Sequence, residues 1–202
     1  WLQYISKPLI VASLIFYFII ASSDYKGILK KWIVLALVFS LAGDVLLMLP
    51  DPKGMYFLFG LSSFLLAHIF YIIFFHRVRM IGGIKPQVIP AAIVVVYYFS
   101  LILLLSPWLG EMKLPVRVYG MVISIMFMLA MHMLALRNRQ AGRMMMMGAL
   151  LFVVSDSILA INKFYASFDA AGPLIMITYG MAQWLIVEGA VRYLAVSRKD
   201  AN

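Results

Sequence analysis

Long apolar stretches alternate with short polar ones along the whole chain. Seven stretches approach or exceed the roughly 20 residues that a helix needs to cross the hydrocarbon core of a bilayer. They cover residues 4–22, 32–49, 55–75, 87–105, 115–136, 141–162 and 172–196. The sequence lacks the alternating ten-residue strands that are typical of membrane barrels. The pattern therefore predicts an all-α fold, a polytopic transmembrane helix bundle with seven spans and a single domain over residues 1–202.

The composition agrees with a protein embedded in lipid. Hydrophobic residues make up 65% of the chain, charged residues 12%, and the mean hydropathy is +1.00. These values lie far from those of soluble domains. The chain has no cysteine, so its own residues cannot form disulfides or supply thiolates. Backbone groups in lipid must be satisfied internally, which again favours helices.

The net charge of +9 follows the predicted topology and does not indicate a nucleic-acid partner. Twelve basic residues fall on one predicted side of the membrane and five on the other. The first side has Lys26, Lys30, Lys31, Arg77, Arg79, Lys85, Arg137, Arg139, Arg143, Arg192, Arg198 and Lys199, and the second has Lys7, Lys53, Lys113, Arg117 and Lys163. By the positive-inside rule the C-terminus is expected in the cytoplasm. With seven spans, Trp1 is then expected outside.

The beginning of the chain has no features of a cleavable signal. It starts at Trp1 without a methionine, and the pair Lys7-Pro8 lies at the beginning of the apolar run with no small-residue cleavage site after it. We therefore expect that an upstream segment is missing.

Two acidic residues lie inside the predicted spans. Asp156 occurs in LFVVSDSILAINKF and Asp44 in SLAGDVLLM. Each precedes the non-cytoplasmic end of its predicted helix by a similar distance, so both are expected roughly 8 Å inside the same face. An ionisable residue in the membrane costs at least about 2.5 kcal/mol, and such residues usually face the bundle interior and serve function.

The two acids are expected to share one proton, because burial and a neighbouring carboxylate both disfavour a second charge. Such a pair supplies a general acid and a general base in one pocket. The structural alternative is a pair of acids that only hydrogen-bond between helices.

Further polar residues are candidates to line the same cavity and bind a substrate. They are Lys7, His68, Tyr71, Tyr119, Ser155, Asn162, Lys163, Tyr179 and Gln183. The alternative for the tyrosines is packing or an interfacial belt, for the lysines extension to the headgroups, and for His68 a satisfied core position. Glu188 is expected to pair with Arg192, four residues further on.

Several kinds of site are excluded by the sequence. A retinal protein needs a Schiff-base lysine in the last helix, and residues 171–192 contain none. A zinc hydrolase needs about three protein ligands, but His76 and His132 are predicted far from the acids. The GxSxG elbow and the glycine-rich phosphate motifs are missing. Acid–base catalysis without metal or other cofactor stays open, and so does proton-coupled transport by a small membrane carrier.

Four motifs give the chain a family resemblance. SLAGDVLLMLP, FGLSSFLLAHIFYI, FVVSDSILAINKF and TYGMAQWLI, together with Lys7-Pro8-Leu9, resemble the YhhN family of lysoplasmalogenases over nearly the whole chain. Members commonly have eight spans, so the resemblance implies one helix upstream of Lys7. It also implies that Asp44 and Asp156 are the two key acids.

The resemblance implies an enzyme of lipid metabolism in a membrane, with a lysophospholipid as its substrate. The expected reaction is hydrolysis of the vinyl ether bond of lysoplasmalogen, which gives a fatty aldehyde and glycerophosphocholine or glycerophosphoethanolamine. For a bacterial member the expected location is the inner membrane. Glycosidases stabilise a related oxocarbenium ion with two carboxyl groups, so two aspartates suit this chemistry.

Overall fold

The computed structural model describes residues 2–50 and 54–199, with side chains for residues 8–50 and 54–196. Seven α-helices account for most of these residues. They are α1 (Leu2–Ala21), α2 (Leu29–Met48), α3 (Met55–Ile81), α4 (Val88–Leu105), α5 (Lys113–His132), α6 (Arg139–Ala160) and α7 (Ala171–Lys199). Short 3₁₀ turns follow α4 and α5, and a π-helical turn, Ile161–Tyr165, extends α6. The prediction of an all-α helix bundle is confirmed.

Six of the described helical segments are long and apolar enough to cross a membrane. In α1 the described apolar part is the shorter segment Pro8–Ala21. These segments make the chain an integral membrane protein. The predicted bounds agree with the helices to within a few residues except in α3, which continues past residue 75 to Ile81. The prediction used the apolar stretch, which ends where the lipid ends. The helix itself continues through basic residues and ends at a turn in which Gly83 has φ +62°.

Six of the helices form a closed ring. Following the contacts around the bundle gives the order α1, α2, α3, α5, α6 and α7, and α7 packs back onto α1. Helix α4 lies outside this ring, against α5. Its surface is largely exposed, for example at Val88, Ile89 and Leu103, as expected for a helix that faces lipid.

Neighbouring helices of the ring approach each other closely at glycine residues. A Cβ atom on Gly43 of α2 would lie 2.6 Å from the ring of Phe64 on α3. A Cβ atom on Gly148 of α6 would lie 2.8 Å from the carbonyl oxygen of Ala182 on α7. Small residues at helix interfaces are the usual means of close packing in membranes, where lipid competes for apolar contacts.

The two ends of the ring differ in character. The end of α2, the beginnings of α3 and α5 and the end of α6 line one cavity and therefore share a face. We call it the outer face, after the side on which the basic residues are fewer. The other half is filled by side chains without solvent exposure, among them Phe74, Phe75, Met133 and Met145. Asp44, near the end of α2, and Asp156, near the end of α6, lie in the outer half.

Candidate active site

Asp156 lies on the wall of a cavity at the outer face. It is partly exposed and is four residues before the end of α6, about 6 Å along the helix axis. The hydroxyl of Tyr119 on α5 donates a hydrogen bond to Oδ2 of Asp156. Both residues line the cavity. This acid is therefore accessible from a space within the bundle.

The cavity is small and apolar apart from these two residues. Its volume is about 50 Å³, which is enough for a few water molecules or a short segment of a lipid. The other described lining residues are Leu47, Phe57, Leu61, Phe64, Val116, Leu159, Ala160 and Phe164. A whole lipid chain does not fit, so a substrate would place only its reacting part here.

Asp44 occupies a more enclosed position in α2, with 4% of its surface exposed. Its Oδ2 accepts a hydrogen bond of 2.8 Å from the hydroxyl of Tyr179 on α7. The Tyr179 oxygen in turn accepts from Nε2 of Gln183 at 3.3 Å. The hydroxyl of Tyr71 on α3 donates to Oε1 of Gln183 at 2.6 Å. A hydrogen-bond chain across the ring therefore ends on Asp44.

Aromatic rings connect the two aspartate–tyrosine pairs. His68 lies edge-on between Tyr119, at a centroid distance of 5.4 Å, and Phe152, at 4.7 Å. Phe152 then contacts the ring of Tyr179 at 5.4 Å. The phenols that bond the two acids thus belong to one packed cluster. Whether the carboxyl groups of Asp44 and Asp156 share a proton stays a prediction.

His68 is fully buried and only half satisfied. Its Nδ1 lies 2.7 Å from the carbonyl oxygen of Phe64, so this nitrogen carries a proton and donates. The remaining nitrogen, Nε2, has no hydrogen-bond partner among the described residues. A buried acceptor without a partner costs free energy, and its position beside Tyr119 keeps His68 a candidate of the site.

The end of α6 holds three other predicted residues, and each has a local contact. Ser155 donates to the carbonyl oxygen of Ile175 and so ties α6 to α7. Asn162 accepts a hydrogen bond from the backbone N–H of Phe168 and so orders the connection to α7. The ammonium group of Lys163 lies 5.0 Å from the ring centroid of Phe57, a cavity residue. Of these three, Lys163 has a side-chain contact with a residue of the cavity wall.

A π-helical turn sets the position of Lys163. The backbone N–H of Ala166 bonds the carbonyl oxygen of Ile161, five residues back. Phe164 of this turn lines the cavity and packs edge-on against Phe57, while Lys163 is exposed beside them. Such turns often occur at functional sites. The side chain of the remaining candidate, Lys7, lies outside the described residues.

One neighbour of the site was not predicted from the sequence. The hydroxyl of Tyr97 on α4 lies 2.7 Å from Oγ of Ser157, the residue after Asp156. Ser157 donates to the carbonyl oxygen of Val153, so the Tyr97 hydroxyl is the donor in this contact. The sequence feature that could have indicated this contact is the pair of adjacent tyrosines in the run VVVYYFS, because a phenol inside a lipid-facing helix needs a hydrogen-bond partner.

Glu188 and His132 have partners that do not line the cavity. Glu188 forms the predicted salt bridge with Arg192, with Oε1 and Nε 2.6 Å apart, and it accepts a hydrogen bond from Tyr17. His132 bonds the backbone N–H of Gln87 at the beginning of α4. In residues 2–50 and 54–199, no group of three His, Cys, Asp or Glu side chains is arranged to hold a metal ion.

Comparison with known proteins found relatives that are about 30% identical over most of this chain. "Lysoplasmalogenase TMEM86B" of Rattus norvegicus is 29% identical over 186 residues, covering 92% of this chain and 71% of that protein. "Lysoplasmalogenase" of Mycobacterium tuberculosis is 32% identical over 163 residues, 79% of this chain and 60% of that protein. "Lysoplasmalogenase TMEM86A" of Homo sapiens is 35% identical over 168 residues, 79% of this chain and 65% of that protein.

The chain spans between 60% and 74% of the length of these and similar curated relatives. No solved structure matches it. The sequence model described as the YhhN family matches residues 2–190. Because this match covers nearly the whole chain, and the helices that bear Asp44 and Asp156 lie within it, the protein belongs to the YhhN family.

Proposed function

We propose that this protein is a lysoplasmalogenase, an integral membrane hydrolase that cleaves the vinyl ether bond of a lysophospholipid. One observation carries the proposal: Asp156, bonded by Tyr119, faces a small apolar cavity between helices of a membrane bundle. An acid in such a place meets lipid rather than bulk water. The curated relatives are named for this activity, which supports the same substrate class.

The chemistry requires an acid, a base and water. A vinyl ether is cleaved when its outer alkene carbon takes a proton, which leaves a positive oxocarbenium ion on the carbon next to oxygen. Water adds to that carbon, and the resulting hemiacetal separates into a fatty aldehyde and an alcohol. Asp44 and Asp156 supply the carboxyl groups of this cycle, in the way that two carboxyl groups serve glycosidases. The chain's own residues suffice for these steps.

The cavity and its rim suit a lipid with one chain. The chain of the substrate stays in the bilayer and passes between helices, because the cavity accommodates only the reacting segment. Lys163, exposed beside Phe57, binds the phosphate of the headgroup. The products are an aldehyde and glycerophosphocholine or glycerophosphoethanolamine.

The direction of the chain in the membrane follows from its charges. With the C-terminus in the cytoplasm, the cavity opens toward the external side, where fewer basic residues lie. We propose the bacterial inner membrane as the location. The lysophospholipid then reaches Asp156 from the external leaflet.

The experiment is an assay of aldehyde release by purified protein in lipid nanodiscs. An alkenyl lysophospholipid is the substrate, and the acyl lysophospholipid with the same headgroup is the control. We expect aldehyde only from the alkenyl lipid, and loss of release in Asp44→Asn and in Asp156→Asn. Asp169→Asn is the matched control, since Asp169 is exposed in the loop before α7.

Two results would contradict the proposal. Release that persists in both aspartate variants would reject their roles. No release from any alkenyl lysophospholipid, together with uptake into liposomes driven by a proton gradient, would instead favour a proton-coupled carrier. Phe74, Phe75 and Met145 are fully buried in the inner half of the ring. This packing supports a site that opens at one face only, as a hydrolase requires, over a path that opens at both faces, as a carrier requires.

A further inference from the structure

A groove lies between the beginning of α4 and the end of α5, at the inner end of the bundle, opposite the outer face. Its volume is about 360 Å³, against about 50 Å³ for the cavity beside Asp156. The lining residues are Ile89, Pro90 and Ile93 of α4, Met131 of α5, Leu134 and Ala135 of the turn that follows α5, and Gln87 and Arg139. None of these residues lines the outer cavity, so the groove is separate from the candidate active site.

Helix α4 is held against α5 on both sides of the groove. Toward the outer face, a Cβ atom on Gly120 of α5 would lie 3.4 Å from the ring of Tyr98 on α4, which is van der Waals contact. At the inner end, Nε2 of His132 accepts a hydrogen bond of 3.0 Å from the backbone N–H of Gln87. The other ring nitrogen of His132 then carries the proton and donates to the carbonyl oxygen of Met128. The groove is therefore a fixed feature of the packing between these helices.

The apolar wall of the groove faces lipid. Ile89 and Ile93, four residues apart, lie on one face of α4 and are 73% and 47% exposed. Leu134, on the other wall, is 39% exposed. Ile93 is five residues into α4, so the groove extends about 8 Å along this helix from its beginning. The apolar molecule present at this depth of a bilayer is a lipid acyl chain, and the groove is shaped to hold part of one.

Arg139 places a positive charge at the polar end of the groove. Its Nη1 donates a hydrogen bond of 2.6 Å to the carbonyl oxygen of Leu134, which also lines the groove. This contact orients the side chain, but a backbone carbonyl does not neutralise a guanidinium, which has five N–H donors in all. The planar guanidinium matches the geometry of a phosphate group. An apolar wall and a phosphate-binding group thus occur in one groove.

The segments that form the groove are basic and contain no acid. Residues 76–93 and 130–147 have neither aspartate nor glutamate, and their lysines and arginines are Arg77, Arg79, Lys85, Arg137, Arg139 and Arg143. Basic pockets between transmembrane helices bind the headgroups of anionic lipids. The positive-inside rule accounts for the number of basic residues at this end of the bundle. It does not account for the position of Arg139 on the wall of an apolar groove.

We propose that the groove formed by Ile93, Leu134 and Arg139 is a binding site for one anionic phospholipid of the adjacent leaflet. One acyl chain lies along α4, and the phosphate lies on Arg139. Because α4 is outside the ring and packs on α5, the lipid adds contacts between α4 and the rest of the bundle. It therefore stabilises the folded protein by mass action. This inference is independent of the proposed function.

Native mass spectrometry of the purified protein measures lipid binding directly. The protein in detergent is titrated with phosphatidylglycerol and, separately, with phosphatidylcholine that has the same acyl chains. We expect one phosphatidylglycerol to bind about tenfold more tightly than phosphatidylcholine. The unfolding temperature should also be higher in nanodiscs of phosphatidylglycerol than in nanodiscs of phosphatidylcholine. Equal binding of the two lipids would overturn the proposal.

Two pairs of variants test the position of the site. Arg139→Gln should weaken the binding of phosphatidylglycerol about tenfold, whereas Arg77→Gln, at an exposed position of α3, removes the same charge and should have little effect. Ile93→Trp fills the groove without a change in charge and should also weaken binding. Val95→Trp is its control, because Val95 is exposed and does not share a face of α4 with Ile93. Equal losses in Arg139→Gln and Arg77→Gln would indicate a general charge effect and overturn the site.

Other occupants of the groove give different results. Inorganic phosphate at millimolar concentration should not displace phosphatidylglycerol, since it has no apolar part; displacement would overturn a lipid site. If Ile93→Trp disrupts a dimer in nanodiscs and leaves lipid binding unchanged, the groove is a contact between copies of this chain and the proposal fails. If Ile93→Trp does not fold, Arg139→Gln still provides the test. Arg139→Lys keeps the charge and should retain more of the binding than Arg139→Gln.

Discussion

The imidazole of His68 stands edge-on to the phenol ring of Tyr119, with an angle of 88° between the ring planes. Tyr119 in turn bonds Asp156, so a fully buried residue of α3 supports the acid on α6 through the phenol of α5. This contact joins three helices of the ring at the level of the cavity.

Replacing His68 by alanine should destabilise the bundle. The change removes a ring packed on Tyr119 and Phe152, and cavities of this kind cost about 2–5 kcal/mol in buried positions. His68→Phe keeps the ring and should retain most of the stability. Thermal unfolding in detergent measures both variants. Equal unfolding temperatures for His68→Ala and the unmodified protein would contradict this packing role.

Tyr119→Phe should lower the rate of aldehyde release with little change in unfolding temperature. The variant removes only the hydroxyl that bonds Asp156, and a hydrogen bond to a charged or strongly polar group contributes about 1.5–3 kcal/mol. The expected loss in kcat/KM is therefore about tenfold to a hundredfold. Tyr98→Phe, on the peripheral helix α4, is the control. Full activity of Tyr119→Phe would show that the bond does not contribute to catalysis.

Gly43→Ala should reduce both stability and activity. Alanine normally stabilises a helix relative to glycine by about 0.5–1 kcal/mol, but here its Cβ would lie 2.6 Å from the Phe64 ring. The ring would have to shift, and it lines the cavity and contacts Tyr179.

Two further variants make the Gly43 prediction sharper. Gly180→Ala has its nearest neighbour at 3.7 Å, an ordinary contact, and should be neutral or stabilising. Phe64→Leu combined with Gly43→Ala should recover stability relative to Gly43→Ala alone, because the smaller side chain frees the space. Additive losses in the double variant would indicate that the contact is not the cause.

Lys163→Gln should raise KM for the lysophospholipid about tenfold and leave kcat nearly unchanged. The reason is that the ammonium group beside Phe57 is proposed to bind the phosphate and not to take part in the bond-breaking steps. Lys163→Arg should retain most of the affinity, and Lys113→Gln, at the beginning of α5, is the control. Steady-state kinetics at two salt concentrations measure the effect. A fall in kcat at constant KM would contradict the binding role.

Much of the architecture follows from the sequence because a helix needs about 20 apolar residues to cross the hydrocarbon core of a bilayer. The helices lie close to their predicted places, and Asp44 and Asp156 each accept a hydrogen bond from a tyrosine of another helix. The pairing of Glu188 with Arg192 was predictable because it is local to one helix. Contacts between residues that are three or four positions apart on one helix can be inferred from their spacing in the sequence.

The partners of the acids depend on the order of the helices around the ring, which spacing does not determine. Tyr119 and Tyr179 were both expected near the acids, but which phenol bonds which carboxyl group is set by packing across the bundle. Tyr71 and Gln183 lie 112 residues apart and meet only because α3 and α7 face the same interior. The π-helical turn that places Lys163 is defined by a hydrogen bond that spans five residues instead of four, and this leaves no mark in composition.

The shallow position of Asp156, one turn before the end of α6, has a consequence for how the reaction finishes. Cleavage at this depth separates the polar glycerol part of the lipid from the apolar aldehyde at the boundary between water and hydrocarbon. The glycerol part can leave directly to water, and the aldehyde can remain in the leaflet from which the lipid came. Under the proposed function neither product crosses the hydrocarbon, so turnover requires neither a transmembrane channel nor an energy source.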